Sequence, residues 1–421
     1  MVDAGSLPVA PIAGRRGPPR RARSKAGGAV RSLAHRIVLA PLVLLGACSV
    51  PERDPLEVMA ISGGAAAYEA NVAAFSRDAF ERVLARAERV ARGETRDDAL
   101  DILALSGGAD WGAFGAGYLA RWHELGDAAA VPMPEFDVVA GISTGALIGT
   151  YVAAGTPERY AGIEAFYRAT DPDWIRLGGI GAFFPASAAV MDNGGIRAAV
   201  AQAVDAALIG DLRAAHAADR VVAVGTTNLD FASLEFFDLG VEAAARPDPA
   251  PRIVDILMAA TAIPGAFPPV AIDGELHADG GAIQGVPGLG PRDLPAFAEA
   301  WRERHGDRPA PPLRFWYIFN SPLELAPEAV TPSWFAVVFR SYETITRTAF
   351  KAPLRESILE ADVYAAAGYP PLEVRWVAVP GSFTAPEGAR PFDPRVTNEL
   401  ADLGRAVAQR ADGGWRRDPP P

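Results

Sequence analysis

The sequence predicts an α/β fold, a three-layer α/β/α sandwich with a mainly parallel central sheet, and three observations carry that prediction. Two short apolar runs, at 101–107 and 136–141, each end in glycine and lead directly into a helical pattern, which is the strand, turn, helix order of a parallel sheet. Further apolar runs at 220–230, 313–320 and 372–380 alternate with helical stretches near 252–262, 292–304, 334–363 and 394–410. Half of the 421 residues are hydrophobic, enough to bury a large core in one or two domains.

Taken in order, the chain begins with a leader. Residues 1–36 hold eight Lys or Arg and one acid, followed by the uncharged apolar run "IVLAPLVLLG". Ten apolar residues are too few to span a bilayer, which takes about twenty, so the pattern predicts a signal peptide over 1–47 and not an anchoring helix. The run ends in Leu45, Gly46, Ala47 and Cys48, which resembles a bacterial lipobox, and Cys48 is the only cysteine. By that resemblance the mature chain starts at a lipidated Cys48. Ser49 stands where an inner-membrane lipoprotein tends to carry Asp, which favours attachment in the cell envelope at the outer membrane, facing the periplasm. One cysteine excludes disulfides within the chain. The net charge of −11 becomes more negative still once the basic leader is removed. It speaks against nucleic acid as a partner and against general attraction to anionic lipid, leaving the lipid anchor and apolar contacts to hold the protein at a membrane.

Residues 48–100 read as a tether and a helix over about 65–92 that packs outside the sheet. The core is expected over 101–288, and 289–421 to complete the same domain with further strands and helices. A strand is also expected over 233–240. The Gly-, Phe- and Pro-rich stretch 178–195 lacks periodicity and reads either as a cover over a site or as plain connection. The end "RRDPPP" reads as unstructured.

Three stretches carry chemistry. "GISTG", Gly141 to Gly145, places Ser143 at a tight strand-to-helix turn, where its hydroxyl is exposed and the flanking glycines Gly141 and Gly145 remove side chains that would clash. The helix start beside it favours developing negative charge. Upstream, "SGGADWGAFGAG" is a second strand-to-helix turn in which the amides near Gly107, Gly108 and Ala109 can converge on one point, as stabilising an oxyanion requires. No phosphate-loop pattern fits it, and no Lys follows. Third, "ELHADGGAIQG" brings Asp279 to a strand end ahead of Gly280 and Gly281, where a carboxylate can face a cleft. His277 alternates onto the same side as Asp279, where it either tunes the site or lies at its rim. His123, His216 and His305 fall in helical stretches and read as surface residues. G-x-S-x-G also fits an α/β-hydrolase esterase, whose triad would need a histidine beyond the acid, and His305 is the one available. A lipid-binding lipoprotein without catalysis stays open too. No metal cluster is visible and no cofactor is implied.

The glycine turn, G-x-S-x-G and D-G-G in this order resemble the patatin-like phospholipase family of Ser-Asp acyl hydrolases, from about Leu103 to Pro287. "ATAIPGAFPPV" (260–270) and "TTNLDFASLEFFD" (226–238) are similar to family segments as well. The resemblance implies a patatin-like fold, Ser143 as nucleophile, Asp279 as its base, the amides near Gly107, Gly108 and Ala109 as oxyanion hole, and a lipid acyl ester as substrate. Ala109 stands at the family's third glycine and Trp111 at its arginine, so a preference for phospholipid head groups does not carry over, and Trp111 offers an apolar lip instead.

Overall fold

The computed structural model describes residues 64–178, 187–288, 293–324, 326–327, 329–367 and 372–420. The expected signal, Cys48 and most of the 178–195 stretch lie outside them.

The elements run α1 (Ala65–Ala91), β1 (Leu100–Leu105), α2 (Gly112–Leu125), β2 (Val138–Ile142), α3 (Thr144–Val152), α4 (Pro157–Arg168), β3 (Arg176–Leu177), β4 (Met191–Asp192), α5 (Gly194–Ala203), α6 (Ala206–Ala217) and β5 (Val221–Asn228). They continue as β6 (Ser233–Asp238), α7 (Leu239–Ala245), α8 (Ala250–Ala260), β7 (Val270–Ile272), β8 (Glu275–Asp279), α9 (Asp293–His305), β9 (Leu313–Phe319), α10 (Trp334–Ala366), β10 (Leu372–Ala378) and α11 (Pro394–Ala408).

The main sheet has the order β10-β9-β1-β2-β5-β8-β7, with β6 also paired to β5. From β10 to β5 every pairing is parallel, as the alternation of strands and helices dictates. The central strands are mostly apolar because helices cover both faces, with Asp101 and the Thr226–Asn228 end of β5 as buried polar exceptions. On one face α2, α3, α4, α6, α8 and α11 supply Phe114, Ile148, Ile163, Leu212, Ile256 and Leu400 to a single core. On the other, α10 brings Phe350 and Leu354 onto Phe315, Tyr317 and Phe319, while α1 and α9 bring Leu84, Phe297 and Trp301 onto Leu100 and Leu313.

Register along β5 brings two strand ends together. β2 pairs with β5 as far as Ile142 opposite Gly225, and β8, running antiparallel, takes over the same edge with Asp279 opposite Thr226. A strand from one end of the sheet and a strand from the other therefore meet head to head on β5.

Helix α1 is tied to the sheet by charge as well as by its apolar face. Arg82 meets Asp238 at 2.5 Å, and Arg86 meets Asp137 at 2.5 Å. Asp137 also accepts the Asp101 amide at 2.7 Å, so one buried cluster joins α1, β1 and the start of β2. The chain end departs from expectation. Trp376 and Arg416 exchange two backbone bonds, 2.9 and 2.8 Å, the Trp376 indole donates to the Asp418 carbonyl at 2.7 Å, and the Arg416 guanidinium lies over its ring. Residues 416–418 thus extend the sheet edge, because an indole on β10 offers a partner that a Pro-rich composition does not reveal. No helix among the described residues is long and apolar enough to cross a membrane.

Candidate active site

β2 ends at Ile142 and α3 begins at Thr144, leaving Ser143 alone to make the turn, with φ 55° and ψ −127°. Such backbone is costly for any residue with a side chain and persists only where the surroundings hold it. Here they are glycines: a Cβ at Gly141 would overlap the Gly145 carbonyl, and one at Gly145 would overlap that of Leu105. A serine before a helix ordinarily caps it. The Ser143 side chain makes no cap bond and lies near enough to the Asp279 carboxylate to help lower its pKa.

Asp279 is held on every side. Its amide donates to the Ala262 carbonyl at 2.9 Å, its carbonyl accepts the Thr227 hydroxyl at 2.9 Å, and its Oδ1 accepts the Gly281 amide at 2.7 Å. Ala262 and Thr227 belong to the two flanking segments singled out in the sequence, which explains their presence. Asp279 is 1% exposed, and burial pushes its pKa up to about 6 against the lowering effect of Ser143 and of the Gly281 amide. A Cβ at Gly280 would press on the Gly225 carbonyl at 2.7 Å, so only glycine lets the turn sit on β5.

The glycine turn after β1 lies against this pair. A Cβ at Gly107 would come within 3.2 Å of the Ser143 Cβ, and one at Gly108 would overlap the Asn320 carbonyl. Gly107 departs from expectation in one respect: its amide donates to the Gly285 carbonyl at 2.9 Å. Ala109 adopts φ 52°, the left-handed region that glycine enters at no cost. Trp111 packs edge-on against Phe383 at 5.3 Å and is not among the residues lining the cavity at Ser143. That cavity, of about 30 Å³, is lined by Leu147, Phe166, Trp174, Ile196, Phe267 and Phe392. Trp174 and Ile196 come from the two flanks of the 178–195 stretch, of which 179–186 lie outside the described residues.

Asn320, at the end of β9, is the site residue that sequence reasoning passed over. It is fully buried, donates its amide to the Ser106 Oγ at 2.9 Å, and donates its Nδ2 to the Ser106 carbonyl at 2.8 Å. Ser106 Oγ in turn donates to the Gly107 carbonyl at 2.7 Å. Nothing local in "FN" signals this, since the contact spans two hundred residues of chain.

The four described histidines have other neighbours. His305 meets Glu88 of α1 at 3.1 Å and packs on Trp301, His123 stacks on Tyr160, and His216 lies beside Gly240. His277 is buried, not at a rim. Its Nδ1 bonds the Thr226 hydroxyl at 3.0 Å, and burial pushes its pKa down to about 4, so it is neutral. With Glu235 and Glu275 it forms a group whose ligand atoms lie within 4.8 Å of one another, unforeseen in the sequence because β6 and β8 meet only through β5. The Asn228 amide donates to both carboxylates, at 3.0 and 2.7 Å.

Residues 103–288 match the family model for patatin-like phospholipase. Over that stretch, under half of the chain, the sequence is similar to the patatin-like phospholipases, a family of lipid acyl hydrolases, and the mostly parallel sheet with helices on both faces is consistent with the α/β fold of that family. Among solved structures, VipD from Legionella pneumophila is similar at 12% identity and a TM-score of 0.37, over 76% of this chain and 68% of that one. No curated protein matches the chain.

Proposed function

We propose that the protein is a serine acyl hydrolase that cleaves lipid acyl esters through Ser143 and Asp279. The observation that carries the reading is the Ser143 hydroxyl, presented on strained backbone beside a buried carboxylate whose pKa is pushed up to about 6. A carboxylate of that basicity accepts the hydroxyl proton better than a free one would. Ser143 Oγ attacks the ester carbonyl carbon, and the amides of Gly108 and Ala109 stabilise the oxygen that gains charge. Gly107 serves by its small size, and Asn320 as a positioning residue for the turn. The ester C–O bond breaks, the alcohol leaves with the proton from Asp279, and an acyl-Ser143 ester remains. Water, giving its proton to Asp279, attacks that ester and releases the fatty acid and the serine hydroxyl. The aromatic lining beside Ser143 suits an acyl chain, and Ala109, by adopting the backbone a glycine would, supports a turn of unchanged shape. Attachment to the envelope through a lipidated Cys48 belongs to the same proposal.

The test is hydrolysis of short and long p-nitrophenyl acyl esters and then phospholipids by the purified protein, with Ser143→Ala, Asp279→Asn and His305→Ala in parallel. Loss in the first two with His305→Ala active is expected. Retained activity in Ser143→Ala would refute the reading, and loss in His305→Ala alone would select a Ser-His-Asp triad. Mass spectrometry of the protein from a bacterial envelope tests for diacylglycerol on Cys48.

A further inference from the structure

Phe392 stands on left-handed backbone, with φ 62°. Glycine holds that backbone at no cost, whereas an aromatic residue there is an outlier, and such strain persists only where the surroundings enforce it. Here they do so from both sides. The Phe392 amide donates to the Asp110 carboxylate at 2.8 Å, and Asp110 is itself buried in the turn Ala109–Trp111. The next residue, Asp393, caps α11 by accepting the Arg395 amide at 2.9 Å. Helix α11 sits so close on α2 that a Cβ at Gly117 would overlap the Ala401 carbonyl, and one at Gly404 that of Phe114. Phe392 is thus fixed between a seated helix and the turn beside Ser143. It lines the cavity at Ser143, its ring 6.0 Å from that of Trp174, which lies 5.4 Å from that of Phe166. The cavity measures about 30 Å³, room for about two or three non-hydrogen atoms.

We propose that Phe392 is the stop of the acyl site and restricts the enzyme to short acyl groups, of about two to four carbons. The proposal rests on Ser143 being the nucleophile and adds which acyl group it takes. An acyl carbonyl placed at Ser143 has this cavity beside it for its chain, and the space is used up after a few carbons. A longer chain meets the rings of Phe392 and Trp174. The Phe392 ring turns about its own side-chain torsions, but its Cβ does not retreat, because the bond to Asp110 and the cap of α11 hold the backbone. In a pocket already filled, each added methylene costs about tenfold or more, so selection against longer chains steepens with every carbon past the stop. The strain fits this role: a glycine at 392 would relieve the backbone and remove the wall together. Asp110 stands one residue beyond Ala109, so a single carboxylate ties the length stop to the turn whose amides face the reacting carbonyl in the proposed mechanism.

The test is the ratio of kcat/KM for p-nitrophenyl octanoate to that for p-nitrophenyl butanoate, measured on the full chain. In the parent protein it is expected to lie at least about tenfold below one. Phe392→Ala removes the ring, and Phe392→Gly removes the ring and relieves the backbone, so the second variant serves if the first does not fold. Each is expected to raise the ratio at least about tenfold. Phe383→Ala, in the same loop but packed on Trp111 and not among the residues lining the cavity, is expected to leave the ratio where it was. A merely structural role for Phe392 would lower both esters alike, in step with the fraction of sites that a fluorophosphonate labels. A parent ratio near one, a uniform loss in both Phe392 variants, or an equal rise in Phe383→Ala would overturn the proposal while leaving Ser143 as nucleophile. Hydrolysis of neither ester by the folded parent would overturn the Ser143 reading and this one with it, so the two failures are told apart.

Discussion

Asp279 occupies the place along β5 that Ser143 would have taken had β2 continued one residue further: Ile142 pairs with Gly225, and Thr226, the next residue, pairs with Asp279. The strand that stops and the strand that replaces it leave the two residues side by side, so their proximity arises from sheet register and does not depend on a loop finding its place.

A buried carboxylate with a raised pKa binds its proton more tightly folded than unfolded, so its charge costs stability wherever it is ionised. The cost is absent below the unfolded value of 3.8 and complete above about 6, and a shift of that size corresponds to about 3 kcal/mol. Asp279→Asn is therefore expected to abolish hydrolysis and yet raise the unfolding free energy by up to that amount near pH 8, the gain fading toward pH 4. Denaturant titrations at both pH values check the sign. In the parent protein kcat/KM should rise with pH along a limb with an apparent pKa of about 6.

Ala109 stands at φ 52°. Ala109→Gly is expected to stabilise by roughly 0.5 kcal/mol, the relief of left-handed backbone being partly offset by a more flexible unfolded chain. Ala109→Val should cost about 2 kcal/mol or more and lower kcat by displacing the amide. Chemical denaturation and steady-state kinetics on the pair measure both.

Asn320→Ala leaves the Ser106 carbonyl without its donor in a dry site. The expected loss is about 1–3 kcal/mol of stability together with a fall in kcat of about tenfold at little change in KM, because the turn loosens while the acyl cavity is untouched. A purely structural role would lower the active fraction and leave kcat per active site, counted by fluorophosphonate labelling, where it was.

Removing Arg86 strands the Asp137 charge. Arg86→Ala is expected to cost about 3–5 kcal/mol, and adding Asp137→Asn should restore part of it. Thermal or denaturant unfolding of the three proteins reads the coupling directly.

The motifs and the helix-strand alternation were legible because each is local. "GISTG" and "SGG" announce their turns through residues only a few places apart, and α10, expected over 334–363, runs from Trp334 to Ala366. The features that stayed hidden depend on distant partners. Asn320 is known by Ser106, the tail 416–418 by Trp376, the burial of His277 by the strands around it, and the occupied Gly107 amide by Gly285. Antiparallel β8 was foreseen as a strand, but nothing in its own residues says which edge it joins.

The insertion of β9 between β1 and β10 has a consequence for synthesis. Chains fold from the N-terminus as they emerge, and a chain that has reached residue 300 already possesses Ser143 and Asp279 but still leaves β1 with a bare edge and Ser106 without Asn320. The turn beside the serine is completed only when β9 adds to that edge of the sheet, with β10 outside it. On the proposed reading, a chain that has not yet added β9 lacks the Asn320 support for its glycine turn.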